Sequence, residues 1–355
     1  MRRYGASKPT NHPSMQSIEI LLLSQKDIIN LNLQPSAVMG VVELAMVEHS
    51  HGTYEMHPKI GVHPTGTDPD NFIHAMPAYL KTLGAAGLKW VGGFAKNPQH
   101  GLPNVTGIQV CNDVDTGIPL AVMDCAYLTG LRTAAVSAVI AKRCALPQST
   151  ELAICGCGFQ GGMHLRFLLD AIPGIRSVRL YDVRPGSAAA LAASTLDAGI
   201  FKGEIKACDS AEACLRDADV ISTCTTGDES IIRKEWFKEG AFGVGIEGGC
   251  AYTAEALHQA DKFIVDDIPL VEYFQKISLG RKNDRGEDNP EFPGGIPPIY
   301  STIGDIVAGK KAARDGSQER IIAIPIGMAI CDISLGHLTL SMARERGVGQ
   351  SFVLS

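Results

Sequence analysis

Three glycines spaced Gly156-x-Gly158-x-x-Gly161, directly behind the apolar run Leu152 to Cys155, restrict this chain more than any other feature. A strand that must turn at once into a helix needs residues without a Cβ, because only glycine permits so tight a turn and so close a backbone approach. Such a turn leaves unshielded N–H groups at a helix start, where they and the helix dipole hold a phosphate. The bare spacing is common, so its surroundings decide its meaning. A buried strand precedes it, a helix follows it, and Asp182 closes the next strand-like run (VRLYD), 24 residues after Gly158, where a carboxylate can bind ribose hydroxyls. Glu151 to Leu169 therefore reads as a dinucleotide clamp, with Phe159 and Gln160 in the turn and Val183 and Arg184 beside Asp182. Asp182 would repel a 2′-phosphate and favours NAD(H), while Arg184 keeps NADP(H) possible.

A chain of 355 residues exceeds one ordinary core and fits two domains with a cleft between them. A net charge of -6 gives no broad basic field, which argues against nucleic acid as a partner. Ten scattered cysteines, with no CxxC pair, read as buried thiols of a cytoplasmic protein. The N-terminal MRRYGASKPTNHPSMQS has no apolar core of a secretory signal and reads as a loose tail. The most apolar stretch, Ile321 to Ile333, falls short of the roughly 20 residues a membrane helix needs.

Residues 18 to 125 read as mostly β with one covering helix, Pro35 to His51. The expected strands are Lys59 to His63, Phe72 to Leu80, Leu88 to Gly93, Gly107 to Asn112 and Ile118 to Met123. Asp113 to Gly117 supplies a hairpin turn between the last two. From Leu128 to Cys144 apolar positions recur at helical spacing, which predicts a helix bridging two domains. Short β-rich runs then alternate with helices: LAICG, 160 to 171, VRLYDV, 187 to 198, 210 to 216, DVISTCTT, 233 to 238, FGVGIEG, 253 to 260 and KFIVDD. That alternation implies a parallel, doubly wound sheet. Beyond it lie a strand-like IIAIPIG and a helix through Arg346.

The start of the bridging helix, Thr129-Gly-Leu-Arg132-Thr133-Ala-Ala135, carries groups of a second kind. Arg132 can grip a carboxylate at two points, and Thr133 can offer hydroxyl and amide to a pyrophosphate. A surface arginine and a helix-capping threonine are the plainer readings, and the residues alone favour them. His49, His51, His57 and His63 lie close together but lack metal-ligand spacing and supporting Cys or carboxylates, so no metal site is expected. Cys155 and Cys157 read as packing residues. The charged, then Pro- and Gly-rich stretch 281 to 298 reads as a surface excursion.

Arg132-Thr-Ala-Ala135 sits with HAMPAYL (74 to 80), GLKWVGGF (87 to 94), GLPNVTG (101 to 107), NDVDTGIPLAVMD (112 to 124) and the glycine turn, in this order. Together they resemble the ornithine cyclodeaminase and mu-crystallin family, from about residue 18 to the C-terminus. The resemblance implies an α/β protein with an NAD-binding Rossmann domain, 129–319, and a mixed α+β substrate-binding and dimerisation domain, 18–128, onto which 320–355 folds back. It implies a homodimer and a small amino or imino acid substrate.

Carried over by position, Lys89 matches the lysine lying against substrate, Arg132 the arginine gripping its carboxylate, and Lys59 a second carboxylate-binding arginine. Lysine keeps the charge there and loses the planar fork. Met76, in HAMPAYL, falls on the substrate side. Asn104 stands where threonine is frequent, with Thr106 two residues on, and one of the two is expected at the cofactor. Thr225 and Thr226, ending DVISTCTT, and Gly327, in PIGMAICD beside the nicotinamide, complete the expected cofactor contacts. In IEGGCAYTAEAL the aspartate of cyclodeaminases is replaced by Gly249, with Glu247 two residues earlier as the available acid.

Hydride transfer needs a substrate α-carbon held against the nicotinamide, so the carboxylate anchor outranks a strong nucleophile. Lys89, flanked by Leu88, Trp90 and Val91, is expected to have a lowered pKa and to polarise an imine or move a proton. A structural ion pair is its plainer role. The expectation is an NAD(H)-dependent oxidoreductase acting on the C–N bond of an α-amino or α-imino acid. The alternatives are ornithine cyclodeaminase proper, converting L-ornithine to L-proline and ammonia, and a non-catalytic, crystallin-like dinucleotide-binding protein.

Overall fold

Two sheets of eight strands each divide the chain. The computed structural model describes residues 17–64, 71–227, 230–247, 251–277 and 295–355. The N-terminal tail, the Gly249 position and 281–294 of the surface excursion lie outside these residues.

The first sheet runs Gln350–Val353, Glu19–Leu23, Pro119–Asp124, Val105–Asn112, Ala85–Gly93, Phe72–Leu80, Tyr54–Met56, and Ile60–Val62 also pairs with Phe72–Leu80. The expected hairpin is present: Asp113 Oδ1 accepts from the Thr116 amide at 2.8 Å and its hydroxyl at 2.6 Å, closing the turn from within. Period-two alternation splits this sheet into two faces. Met76, Lys89 and Gln109 are register partners on the buried face, while Ile60, Ala75, Trp90 and Ile108 form a row on the other.

The helix lying on the buried face is not Pro35–His51, as expected, but the C-terminal Ala329–Arg346. Pro35–His51 buries its stripe of Val38, Met39, Val42, Ala45 and Met46 against other helices instead. Enclosed between sheet and helices, Ala329 to Gly336 is buried on every side, as a helix without a polar face must be. Gly336 is required there, since a Cβ would lie 1.8 Å from Gln109 Nε2.

The second sheet runs Glu204–Ala207, Ser177–Tyr181, Glu151–Cys155, Val220–Thr223, Phe242–Gly245, Ile321–Ile324, Lys262–Val265, Ile299–Thr302, and every pair is parallel. Its central strands are wholly buried, which explains their uninterrupted apolar runs. Chain order reverses beside Glu151–Cys155, with Ser177–Tyr181 on one flank and Val220–Thr223 on the other. Open parallel sheets bind ligands at the carboxyl end of such a switch point, and the glycine turn lies there.

Two further expectations need correction. The return to the first domain does not begin at residue 320: Ile321–Ile324 is an interior strand of the parallel sheet, and only the segments after it cross back. The helix expected at 233 to 238 is a single 3-10 turn, Lys234–Trp236. The bridging helix, Ala126–Cys144, packs on Phe159–Ala171 behind the glycine turn. Buried His164 joins the two, its Nδ1 2.8 Å from the Gln160 carbonyl and its Nε2 2.9 Å from Ser137 Oγ. The carbonyl only accepts, so Nδ1 carries the proton and Ser137 donates to Nε2. Among the described residues no helix is long and apolar enough to cross a membrane.

Candidate active site

The glycine turn is as tight as its spacing demands. A Cβ on Gly161 would lie 1.9 Å from the Gly156 carbonyl oxygen, and one on Gly156, at φ +94°, 2.5 Å from that of Cys224. Gly158 caps the helix Phe159–Ala171. Asp182 reaches back to this turn, its Oδ2 accepting from the Cys157 amide at 2.7 Å. Arg184 lies over it, Nε 3.1 Å from Oδ1 and Nη2 3.1 Å from Oδ2. Burial pushes the Asp182 carboxyl up, and its bonds from Arg184 and Cys157 outweigh that and hold it below the usual range. Backbone N–H groups at a helix start, with an ionised carboxylate alongside, fit the phosphates and ribose of a dinucleotide.

The remaining expected cofactor contacts are spread along this edge. Phe159 is exposed, its ring over Gly130, where a Cβ would meet it at 2.4 Å. Val183 and Thr226 are exposed and Thr225 is half-buried. The Thr133 hydroxyl donates to the Thr129 carbonyl at 2.7 Å, so its proton is spent within its own helix. Gln160, Thr133, Arg132, Val136, Ile246, Pro325 and Ile326 line a cavity of about 180 Å³ beside the glycine turn.

Across that cavity three cations meet two carboxylates. Asp332, 1% exposed in the first turn of the C-terminal helix, pairs through Oδ2 with Lys89 Nζ at 2.8 Å and through Oδ1 with Arg132 Nε at 2.9 Å. Burial pushes the Asp332 carboxyl up, but Arg132 and Lys89 outweigh it and hold it ionised. Burial pulls the Lys89 ammonium down, against the opposing pull of Asp332. Lys89 is thus ion-paired and has a lowered pKa. Its sheet neighbour Met76 is buried beside it.

Arg132 spends Nε on Asp332 and turns its outer nitrogens toward Gly327, where a Cβ would lie 2.7 Å from Nη1. Lys59 Nζ donates to the Ile326 carbonyl at 2.7 Å. Burial, then the charges of Arg132 and Lys89, pull the Lys59 ammonium down to about 7.

Three expected residues stand apart from this cluster. Thr106 shares its sheet face with Ile108, opposite Lys89, and Asn104 is exposed in the loop before it. Glu247 is turned away: Ile246 faces the cavity, whereas the Glu247 Oε1 accepts from Thr223 Oγ1 at 2.6 Å on the sheet's other side, near Cys155 and Tyr252. Enclosure raises its carboxyl to about 7 despite the Thr223 bond.

Other residues around the cluster were not singled out from the sequence. Gln109, fully buried, donates from Nε2 to the Asp332 carbonyl at 2.8 Å. His74 lies on the Lys89 face, stacked 4.3 Å from Phe72, and burial and the nearby cations lower it to about 4. Asp266 ends the strand Lys262–Val265, where its apolar run stops at two consecutive aspartates. That punctuation was the one available clue to it.

A parallel sheet with a phosphate-type turn at its switch point, beside a buried carboxylate-and-cation cluster, defines a dinucleotide-binding protein. The chain belongs to the ornithine cyclodeaminase/mu-crystallin family, whose model matches residues 19–347. It is 32% identical over 336 residues to alanine dehydrogenase of Archaeoglobus fulgidus, covering 94% of this chain and 98% of that protein. Its structure is similar to an archaeal alanine dehydrogenase dimer with bound NAD, with a TM-score of 0.82 and 30% identity over 95% of this chain and 100% of the other. It is also similar to Thermococcus litoralis Δ1-pyrroline-2-carboxylate reductase in complex with NADH and L-proline, with a TM-score of 0.80 and 26% identity over 93% and 99% of the two chains.

Proposed function

We propose that the chain is an NAD(H)-dependent oxidoreductase that reduces an α-imino acid to an α-amino acid, or runs the reverse reaction. The observation that carries this reading is the buried Lys89–Asp332–Arg132 cluster across a narrow cavity from the glycine turn. Bound NAD(H) supplies the hydride exchanged at the substrate α-carbon. Gly156, Gly158 and Gly161 would hold its phosphates, and Asp182 its adenosine ribose.

Arg132, through its outer nitrogens, and Lys59 hold the substrate carboxylate. One proton must reach the nitrogen for each hydride that reaches the carbon. Lys89, an ammonium with a lowered pKa beside Asp332, supplies or takes that proton. Net charge supports a monocarboxylate below about pH 7, where Lys59 is charged: Lys59, Lys89 and Arg132 then carry three positive charges against at most two on Asp332 and on Asp266, whose carboxyl burial pushes up.

The same count argues against a cyclodeaminase. Ornithine brings a second ammonium, and both carboxylates facing the cluster are already engaged. Glu247 lies on the other side of the sheet and, in this reading, is not the acid at the reacting nitrogen. The open row of Ile60, Trp90 and Ile108, 59%, 45% and 46% exposed, supports homodimerisation through this sheet face.

Purified protein with NADH, ammonium and a panel of 2-oxo acids should oxidise NADH, and with L-ornithine and catalytic NAD should release no proline. Proline and ammonia from ornithine would establish the cyclodeaminase instead. Tight NADH binding without turnover on any imino or amino acid would leave a binding protein.

A further inference from the structure

Asp266 is a buried carboxylate that the reaction above does not use. It is 1% exposed and lies at the carboxyl end of the strand Lys262–Val265. Its Oδ2 accepts from the Gly327 amide at 2.6 Å, and its Oδ1 from the Asp267 amide at 3.0 Å. The neighbouring strand Ile321–Ile324 runs parallel, with Val265 beside Ile324, so Asp266 meets the chain just as it leaves the sheet.

Past that exit the chain makes the turn Pro325 to Gly327, on which two of the three cations rest. Lys59 Nζ donates to the Ile326 carbonyl at 2.7 Å. The Arg132 guanidinium lies close enough against Gly327 that a Cβ would stand 2.7 Å from Nη1. Gly327 holds φ +97°, which only glycine adopts without strain. A turn in that conformation needs an external hold, and a buried carboxylate on its amide is a strong one, since charge-assisted hydrogen bonds contribute about twice what neutral ones do. Asp267, the next residue, pairs with His49 Nε2 at 3.1 Å, on the first-domain helix Pro35–His51. The Asp266-Asp267 pair thereby grips the turn on one side and the other domain on the other.

We infer that Asp266 is a positioning residue that pins the Ile326–Gly327 turn as the seat of Lys59 and Arg132, and thereby sets the strength of substrate-carboxylate binding. It touches neither substrate nor cofactor. The inference rests on the proposed site, in which Lys59 and Arg132 receive the carboxylate. The charged and titratable groups around Lys59 are Arg132, Lys89 and His74, which oppose its charge, and Asp266 and Asp332, which favour it.

Two measurements on the full chain separate this from a merely structural role. The first needs no substrate: titration of the Lys59 side chain by NMR of 13C-lysine-labelled protein, its signal assigned with Lys59→Met, in the parent and in Asp266→Asn. Removing the charge and loosening the turn should move the Lys59 midpoint to lower pH by at least half a unit. An unmoved midpoint would overturn the inference whatever the enzyme's substrate proves to be. The second is calorimetric binding of oxamate, a small carboxylate, to the NADH-loaded protein. Asp266→Asn should weaken oxamate at least fivefold and leave NADH affinity within twofold. Equal losses of NADH and oxamate affinity, with a lowered Tm, would mean that Asp266 supports the fold and not the seat. Should oxamate fail to bind the parent protein, the proposed function is contradicted, and the Lys59 titration alone decides the role of Asp266. Asp266→Glu, which keeps the charge, should restore most of the Lys59 midpoint.

Discussion

Asp332 carries more of this site than its single carboxylate suggests, because Lys89 and Arg132 both depend on it. Breaking a buried ion cluster by removing one partner costs about 3–5 kcal/mol, since the stranded charges stay out of water. Asp332→Asn should accordingly lower stability by that order in denaturant unfolding, and kcat/KM by at least tenfold. A stability loss under about 1 kcal/mol, the range of a solvated surface pair, would mean that the buried arrangement is wrong. Lys59 sets the pH dependence. Its ammonium is charged below about pH 7 and discharges as pH rises through 7, so KM for the acid substrate should climb above neutrality. Lys59→Arg, whose charge does not titrate, should flatten that rise, and an identical profile in both proteins would remove Lys59 from the carboxylate site. The sign for stability is opposite: a depressed lysine disfavours the folded state while charged, so this group's cost fades as pH rises from about 7 to 10.5. Among single residues the sequence identified Lys89 and Arg132 through motif context, but not Asp266, Gln109 or His74. Gln109 acts through a contact made across more than 100 residues of chain, Asp266 through one to Gly327 on the neighbouring strand's exit, and His74 through neighbouring charge, and local spacing encodes none of these.

The element that determines cofactor binding is the glycine turn. Gly161 has no room for a methyl group, 1.9 Å from a carbonyl oxygen, so Gly161→Ala must move the helix Phe159–Ala171 off its strand. NADH affinity measured by calorimetry should fall by roughly tenfold or more, on the scale of one lost charge-assisted contact. Unchanged affinity would place the phosphates elsewhere. Long elements were legible in sequence: Pro35–His51 and Phe72–Leu80 fall where the apolar runs between turn signals put them. Short edge elements were not. Glu204–Ala207 and Gln350–Val353 are too short to show a period, and they become strands only because a neighbour offers an open edge. Only the family resemblance placed the C-terminal helix on the first domain; its own residues did not, because the buried stretch Ala329 to Gly336 has no polar face to set a side.

Over the molecule as a body, the first sheet has one face under the C-terminal helix and the other open. Ile60, Ala75, Trp90 and Ile108 form a row across four strands there, with Val62 beside it at 58% exposure. An apolar row of this kind marks an association surface. Light scattering should give twice the 37.8 kDa chain mass, and Trp90→Glu should shift the protein toward the monomer. A monomeric parent protein would rule this face out. The placement of Asn104 and Thr106 is also decided by the assembled sheet. The motif is local, but the face on which a strand residue ends depends on register with its neighbours, and register pairs Thr106 with Gly92, on the face that Lys89 does not share.

If the Lys89–Asp332–Arg132 cluster and the glycine turn form one hydride-transfer site, removing the carboxylate anchor must cost turnover and spare the cofactor. The decisive comparison is NADH oxidation with a 2-oxo acid and ammonium, in the parent protein and in Arg132→Met, alongside NADH binding to both. Turnover by the parent is expected, with a loss of roughly 10- to 100-fold in kcat/KM in the variant, the scale of one charge-assisted carboxylate contact, and equal NADH affinity. Undiminished turnover by Arg132→Met would contradict the shared site.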